Sequence, residues 1–298
     1  MPQEIYPSGI SVREACREGT YTTVTSGLAP SHIQANLIVL PSRYASDFRR
    51  LCLRNPVPCP LLAESSSPGS FSSVKSHIPN VSPESIAQDL DIRRDCPKYI
   101  VYQNSQPTST SPSFDIIPEW SSDHIGFLIG CSFSFETALL ASNLPPAHIL
   151  HNRTVPMYRT NIPLCPAGVF TNSTYVVSMR MYRKSQLEAV REITKPYLAT
   201  HGEPIAWGWD GAERIGVKDI AEPDWGDPPV TVSGEIAAHQ KPNDPNKDSW
   251  IPMFWGCGVT PQEAVMRAEL KGTIMGHVSF ALFFSILRKF PDRLSWGV

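Results

Sequence analysis

The sequence has few charged residues and none of the short motifs that mark the common catalytic or cofactor sites. Asp, Glu, Lys and Arg make up 18% of its 298 residues, against about a quarter in an average globular chain. The 26 basic and 28 acidic residues give a net charge of −2, which argues against the basic groove of a nucleic-acid-binding protein. A small anionic substrate stays compatible with this charge, because a few local arginines suffice to bind it. The chain contains no C-x-x-C, H-E-x-x-H, P-loop, G-x-G-x-x-G or G-x-S-x-G motif, so nothing indicates a metal or a dinucleotide.

A signal peptide is also absent from the first residues, which lack a basic segment followed by an apolar one. The seven cysteines form an odd set without paired spacing, which favours reduced thiols. We therefore expect an intracellular protein, cytoplasmic or in the mitochondrial matrix, that makes no stable membrane insertion.

Proline is abundant, with 29 residues, about twice its usual share. This excludes long helical bundles and coiled coils, because proline interrupts helices. Apolar runs that predict strands alternate with amphipathic segments that predict helices, which is typical of an α/β fold with helices on the faces of a sheet. Strands are predicted at 98–103, 124–130, 175–179 and 253–259, and helices from about 11 and at 44–55, 132–142, 185–198 and 261–270, while 35–41 is an apolar run closed by proline. Polar segments at 63–86, 103–114 and 237–249 read as loop insertions, and the uncharged stretch 272–287, too short to span a bilayer, reads as a core or surface helix.

The strongest local feature is the turn that follows the predicted strand 124–130. Its sequence runs from Gly130 through Cys131, Ser132 and Ser134 to Glu136. A helix that begins there would offer free N–H groups to a carboxylate or an oxyanion, and its dipole would lower the pKa of Cys131 and make it a nucleophile. The alternative is that Cys131 only packs and the serines only cap. Glu136 is either a general base or a favourable charge at the helix start.

A second group of polar residues lies in the proline-bounded loop 153–163. It carries Tyr158, Arg159 and Asn161, and Arg180 at the end of a predicted strand could join them. Arginine binds carboxylates through two parallel hydrogen bonds, so this group predicts a substrate clamp. A solvated surface loop is the alternative.

Weaker candidates stand elsewhere in the chain. Arg93 lies between two aspartates, as either a ligand or part of a structural ion-pair network. Thr260 precedes a proline at a strand-to-helix junction and is predicted to be an N-cap and a second anion site. His201 and His277 lie beside glycines and could exchange protons, although single histidines are usually structural.

Eight segments taken together resemble the D-glutamate cyclase family, many of whose members are named hydro-lyases. In order, they are Gln-Ala-Asn-Leu at 34–37, Arg-Asn-Pro-Val-Pro-Cys-Pro-Leu-Leu at 54–62, Asp-Ile-Arg-Arg-Asp-Cys-Pro at 91–97, Ile-Gly-Cys-Ser-Phe-Ser-Phe-Glu at 129–136, Val-Pro-Met-Tyr-Arg-Thr-Asn-Ile-Pro at 155–163, Val-Ser-Met-Arg at 177–180, Pro-Asp-Trp-Gly-Asp-Pro at 223–228 and Phe-Trp-Gly-Cys-Gly-Val-Thr-Pro-Gln at 254–262. The resemblance runs in order from about residue 11 to about 277.

The resemblance implies one family domain over 1–298, with a mixed sheet flanked by helices in two intimately joined, interleaved α/β subdomains. It also implies conversion of D-glutamate to 5-oxo-D-proline and water. Members typically continue with a His-x-Pro-Gly-His-like motif, whereas here Gly276-His277 runs into an apolar segment. Residues 272–298 are therefore a divergent C-terminal segment, and an altered gene model or splice form that loses activity is one hypothesis for it.

The chemistry suggested by these residues needs no cofactor and no metal. The sequence predicts a small carboxylate substrate, with Glu136 as the base and His201 as the second choice. The turn at Ser132 and Ser134 would supply donors. Loss of water by β-elimination from an amino or hydroxy acid would use the same groups. Two other readings stay open: an amidase-like hydrolase with a covalent Cys131, and a catalytically degenerate carboxylate-binding protein. A homodimer is also left open.

Overall fold

The computed structural model describes residues 5–241, 248–278 and 282–288, with side chains in the last range described for 282–285. Its helices are α1 Gly9–Arg17, α2 Ala45–Arg54, α3 Pro83–Ala87, α4 Glu136–Ala141, α5 Ala147–Leu150, α6 Leu187–Thr194, α7 Trp209–Arg214 and α8 Val259–Arg267. Its strands are β1 His32–Pro41, β2 Leu61–Ser65, β3 Val74–Ser76, β4 Tyr99–Gln103, β5 Gln106–Pro107, β6 His124–Gly130, β7 Met157–Pro163, β8 Thr174–Arg183, β9 Ala206–Trp207, β10 Trp250–Gly256, β11 Thr273–His277 and β12 Phe283–Arg288.

The strands form two sheets. Sheet A has the order β3-β2-β6-β1-β11-β4-β5, with β12 also paired to β1, and sheet B has the order β7-β8-β10-β9. Every described strand pairing is antiparallel. The α/β class with two subdomains is confirmed, but its strands lie in two antiparallel sheets where the sequence predicted a mixed one.

Strand β1 is the centre of sheet A and is buried along its whole length. Its residues alternate between two cores, with Leu37 and Val39 on one face and Ile38 and Leu40 on the other. The second face is covered by α2 and α8, which contribute Phe48 and other buried apolar side chains to the same core. A strand buried on both faces explains why this segment reads as a continuous apolar run.

Sheet B lies between helices of the middle of the chain. One core joins Val177 and Phe254 to α7, and another joins Trp255 to α4 and α6. A separate apolar cluster contains Cys131, Met157, Val259 and Leu282, and so joins residues of both sheets. The two sheets therefore meet along a shared apolar seam.

Several predicted boundaries differ from the structure. The first helix begins at Gly9, because the Oγ of Ser8 accepts a hydrogen bond from the N–H of Ser11 at 3.2 Å and caps it. Helix α8 begins at Val259 with Gly258 as its N-cap residue, so the prediction of Thr260 as the N-cap was wrong. The predicted helix 185–198 is α6 followed by a short 3-10 turn at Leu198–Thr200.

The predicted loop insertions contain more structure than their composition suggested. Residues 63–86 include the end of β2, strand β3 and the start of α3, and residues 103–114 include the exposed two-residue strand β5. In 237–249, Ala237–Gln240 form a 3-10 turn, and 242–247 lie outside the described residues.

The C-terminal segment is not the helix that its apolar run predicted. Residues 273–277 form β11 and 283–288 form β12, and both pair with the same edge of β1. An apolar run of this length fits either structure, and pairing with a buried strand satisfies its backbone as a helix would. The remaining residues of this segment, 279–281 and 289–298, lie outside the described part of the chain.

Candidate active site

A narrow cavity lies at the seam where the two sheets meet. Its polar lining comes from seven side chains on both sheets, the adjoining turns and helix α8: Asn36, Cys131, Ser132, Ser178, Cys257, Gln262 and His277. Apolar groups of β7, of α8 and of the residue before β12 close its other sides. Within the described residues this lining contains no Asp, Glu, Lys or Arg side chain.

A buried ion pair lies directly behind the two serines of the cavity. Arg180 and Glu136 are 2% and 6% exposed. The Nε and Nη2 of Arg180 donate to Oε1 of Glu136 at 2.9 and 2.5 Å. The guanidinium also lies 5.0 and 5.2 Å from the ring centres of Phe135 and Trp255. This enclosure fixes the guanidinium in one position and keeps it from water.

Glu136 is committed to this pair. Burial alone would raise the pKa of its carboxyl, but the nearby charges of His148 and Arg180 outweigh burial and hold that pKa below its ordinary value. His148 Nε2 lies 3.2 Å from Oε1 of Glu136. A carboxylate with a lowered pKa is a weak base near neutral pH, so the geometry suits Glu136 to holding Arg180.

Arg180 reaches the cavity through the serine hydroxyls. Its Nη1 donates to Ser178 Oγ at 3.0 Å and its Nη2 to Ser132 Oγ at 3.2 Å, and the two Oγ atoms are 3.4 Å apart. Each oxygen accepts from the guanidinium and one hydroxyl donates to the other, so one hydroxyl hydrogen of the pair is left for another acceptor. Hydrogen bonds that involve a charged partner are the stronger kind, and this polarised donor suits an anion.

The two thiols of the cavity are protonated. Burial raises the pKa of Cys131 to about 12 and that of Cys257 to about 11. The sequence predicted a lowered pKa for Cys131 from a helix N-terminus, and this was wrong. The turn after Gly130 begins as a 3-10 turn over Ser132–Phe135, and desolvation of the thiolate dominates there.

His277 is a neutral, oriented imidazole. Its Nδ1 lies 3.1 Å from the backbone nitrogen of Leu37, 3.2 Å from the carbonyl oxygen of Leu37 and 3.2 Å from Nε2 of Gln262. The two nitrogens favour an unprotonated Nδ1, and the carbonyl oxygen favours a protonated one. Burial lowers the pKa of His277 to about 4, so the ring is an uncharged donor at neutral pH.

The comparisons with known proteins agree with the resemblance of the sequence. The family model described as D-glutamate cyclase matches residues 125–284. A protein of Schizosaccharomyces pombe named "Putative hydro-lyase" is 45% identical over 270 residues, which are 90% of this chain and 80% of that one. One of the same name from Rubrobacter xylanophilus is 40% identical over 89% of this chain and 90% of its own.

The chain belongs to the D-glutamate cyclase family. The names of its relatives support a lyase. The matched region begins in β6 and ends within β12, so it includes most of the cavity. Among solved structures, a nitrogen repressor-like protein from Methanococcus jannaschii aligns over 96% of this chain and 99% of its own, with a TM-score of 0.37 and 10% identity.

Arg159 does not join Arg180 in this family member. It is half-exposed on β7, where its guanidinium pairs with Asp224 and Glu263 and lies 4.3 Å from the ring centre of Trp225. The predicted two-arginine clamp is therefore not assembled. Arg93 does not line the cavity, and its guanidinium pairs with Asp91.

Two polar residues near Arg159 make structural hydrogen bonds. The buried hydroxyl of Tyr158 donates to the carbonyl of Ile220 at 2.7 Å. Asn161 Nδ2 donates to the carbonyl of Arg214 at 3.1 Å. Neither side chain lines the cavity.

Two hydroxyl groups predicted to bind substrate are occupied by the backbone. Thr260 Oγ1 accepts from the N–H of Val176 at 2.9 Å and donates to its carbonyl at 3.0 Å. Ser134 Oγ accepts from the N–H of Gln34 at 3.0 Å. Both residues tie the walls of the cavity together.

His201 lies behind the cavity. Burial lowers its pKa to about 4, and its Nδ1 is 2.8 Å from the carbonyl of Val57. Its segment passes so close to the end of β6 that a Cβ at Gly130 would lie 1.9 Å from the carbonyl oxygen of Ala199. This contact explains the glycine at the strand end.

The sequence analysis did not select Asn36, Ser178 or His148. Ser178 stands two residues before Arg180 and shares its strand face, a spacing that could have identified it. Asn36 is a polar residue inside an apolar strand, which is also a visible signal. No local sequence pattern identifies His148, because only the tertiary fold brings α5 next to Glu136.

Two further features concern the whole described region. No three His, Cys, Asp or Glu side chains within residues 5–241, 248–278 and 282–285 gather as metal ligands. No helix in the described part of the chain has the length and apolar character needed to cross a membrane.

Proposed function

We propose that this protein removes water from a small amino or hydroxy acid, and that its reaction is the cyclisation of D-glutamate to 5-oxo-D-proline. The observation that carries the proposal is the cavity itself. Arg180 polarises the hydroxyls of Ser132 and Ser178, and these face a space without charged side chains among the described residues. Such donors suit a carboxylate or the oxyanion that forms from it.

The reaction makes one bond and breaks one. The amine nitrogen attacks the side-chain carboxyl carbon, so a C–N bond forms and a C–O bond breaks. The ammonium loses two protons, and the departing oxygen takes up two and leaves as water. The described lining has no carboxylate to balance an ammonium, so the cavity favours the uncharged amine, which is the nucleophilic form.

The neutral ring of His277 would serve the same reaction. With the ring proton on Nε2, the ring would donate from that nitrogen to the oxygen that develops charge or departs. Glu136 would act through its ion pair with Arg180. This pair fixes the guanidinium that polarises the hydroxyls of the two serines. Cys131 is not needed in this scheme, since its thiol is protonated near neutral pH.

The test is an assay of water loss by the purified protein. D-glutamate and L-glutamate are incubated separately, and 5-oxoproline is followed by mass spectrometry against an enzyme-free blank. We expect product from the D isomer only. Ser178→Ala should lower kcat/KM by about a hundredfold, as for loss of one oxyanion donor.

Two control variants separate the site from general damage. Ser173→Ala removes an equally buried serine hydroxyl that donates to the carbonyl of Thr171, and Arg159→Ala removes the surface arginine. Both should keep kcat/KM within about threefold of the wild type, because a side chain away from the reacting atoms contributes no binding specific to the transition state. Equal product from both isomers, or equal loss in Ser173→Ala and Ser178→Ala, would contradict the proposal. Saturable binding of D-glutamate without product would support a non-catalytic binding protein instead.

A further inference from the structure

One side chain of the cavity has a polar group with no use in the fold. Asn36 is 4% exposed, and its Nδ2 makes no hydrogen bond with any described residue. A buried amide left unsatisfied costs about 1–3 kcal/mol. Most buried polar groups in folded proteins are paired, so an unpaired one beside a cavity points to a ligand.

The backbone on the other side of the seam is shaped around this amide. A Cβ built on Gly258 would lie 1.9 Å from Asn36 Nδ2. Gly258 has φ −63° and ψ −6°, a conformation open to any residue. The glycine is therefore required for space, and the space it leaves is filled by the carboxamide of Asn36.

We propose that the Nδ2 of Asn36 donates to the α-carboxylate of the substrate, and that Gly258 is the residue that lets it do so. This inference rests on the proposed function and deepens it. The serines backed by Arg180 already serve the carboxyl group that loses its oxygen. The second carboxylate of the substrate needs a hydrogen-bond donor, and the unpaired Nδ2 of Asn36 supplies one.

The first test needs no substrate. Asn36→Leu replaces the unpaired amide by an apolar group of similar size, and Asn55→Leu is its matched control. Asn55 is 2% exposed, but its amide donates to the carbonyls of Leu51 and Cys165 and accepts from the N–H of Cys165. In urea unfolding of the ligand-free protein, Asn36→Leu should keep or raise the midpoint, and Asn55→Leu should lower it clearly. An equal drop in both would overturn the inference.

The second test separates the α-carboxylate from the rest of the substrate. Asn36→Ala should raise KM for D-glutamate about ten- to hundredfold, as expected for a lost hydrogen bond in a buried site. The inhibition constant of glutarate, which has both carboxylates and no amine, should rise by a similar factor, and that of 4-aminobutyrate, which lacks the α-carboxylate, should stay within about twofold. Equal weakening of glutarate and 4-aminobutyrate would assign Asn36 a structural role and overturn the proposal.

Gly258→Ala provides a variant that leaves Asn36 in the chain. Its methyl group must displace the carboxamide, so it should reproduce the rise in KM, and the double variant with Asn36→Ala should be no worse than the more affected single one. Additive losses would refute the assigned contact. If the wild type forms no 5-oxoproline while Asn36→Leu keeps its unfolding midpoint, the D-glutamate reaction fails and the ligand-binding role of Asn36 is supported.

Discussion

The buried pair of Glu136 and Arg180 offers the sharpest test of how this fold holds its site. Glu136→Gln keeps the shape of the side chain and removes its charge, which leaves the Arg180 guanidinium in the interior without a countercharge. Two charges about 4 Å apart attract by about 4 kcal/mol at an effective dielectric of about 20. Breaking a buried pair by removing one partner costs about 3–5 kcal/mol. We therefore expect Glu136→Gln to lower the free energy of unfolding by about that amount.

The measurement is urea denaturation followed by circular dichroism, with Glu188→Gln as the control. Glu188 also pairs with an arginine, but its side chain is 72% exposed, and exposed pairs contribute about 0–1 kcal/mol. A loss of less than about 1 kcal/mol in Glu136→Gln would refute the buried ion pair as described.

The pH dependence of the same pair provides a second readout. The folded-state pKa of Glu136 is lowered, so its contribution to stability is complete above the unfolded pKa of about 4.3. It should be lost as the pH falls from there through the lowered pKa. Glu136→Gln should lack this part of the loss of stability at low pH. The same loss of stability in the variant as in the wild type would contradict the lowered pKa of Glu136.

Two further predictions follow from the buried thiols and imidazoles. Cys131→Ser should keep turnover within about tenfold, because a thiol whose pKa is raised to about 12 is not the attacking group at neutral pH; complete loss, with the protein still folded, would restore the covalent mechanism. His201 and His277 have pKa values of about 4, so the unfolded chain takes up two more protons than the native one as pH falls from about 6.5. Their joint contribution to the free energy of unfolding should fall by about 2–3 kcal/mol per pH unit between pH 6 and pH 5, as measured by urea unfolding. His277→Gln should halve this slope. An unchanged slope in the variant would show that His277 is not buried in its neutral form.

Local pattern was a good guide to the elements of this chain. The run at 124–130 was predicted as a strand and is one, because a short apolar segment closed by glycine has few other solutions. The C-terminal run was predicted as a helix and forms two strands. Nothing local distinguishes these outcomes, since the choice depends on the free edge of β1, a segment more than 230 residues earlier.

The residues of the site could be predicted only in part. Ser132, Cys131 and Arg180 were selected from their motifs and meet at the cavity, whereas Arg159 was selected by the same reasoning and lies at the surface with its own carboxylates. Residue type tells what a side chain can bind. It does not tell which residue the side chain contacts in the folded protein.

By itself the sequence determined the class of fold, the positions of most strands and helices, and membership of a family, because these depend on periodicity and on ordered motifs. The tertiary structure alone decided the charge state of each side chain in the site and the residues that it contacts. Burial raised the pKa of Cys131 and lowered that of His277, the neighbouring His148 and Arg180 lowered that of Glu136, and the fold buried Asn36 without a partner for its Nδ2. Each of these effects comes from desolvation or contact between segments distant in the chain, and neither can be read from neighbours in sequence.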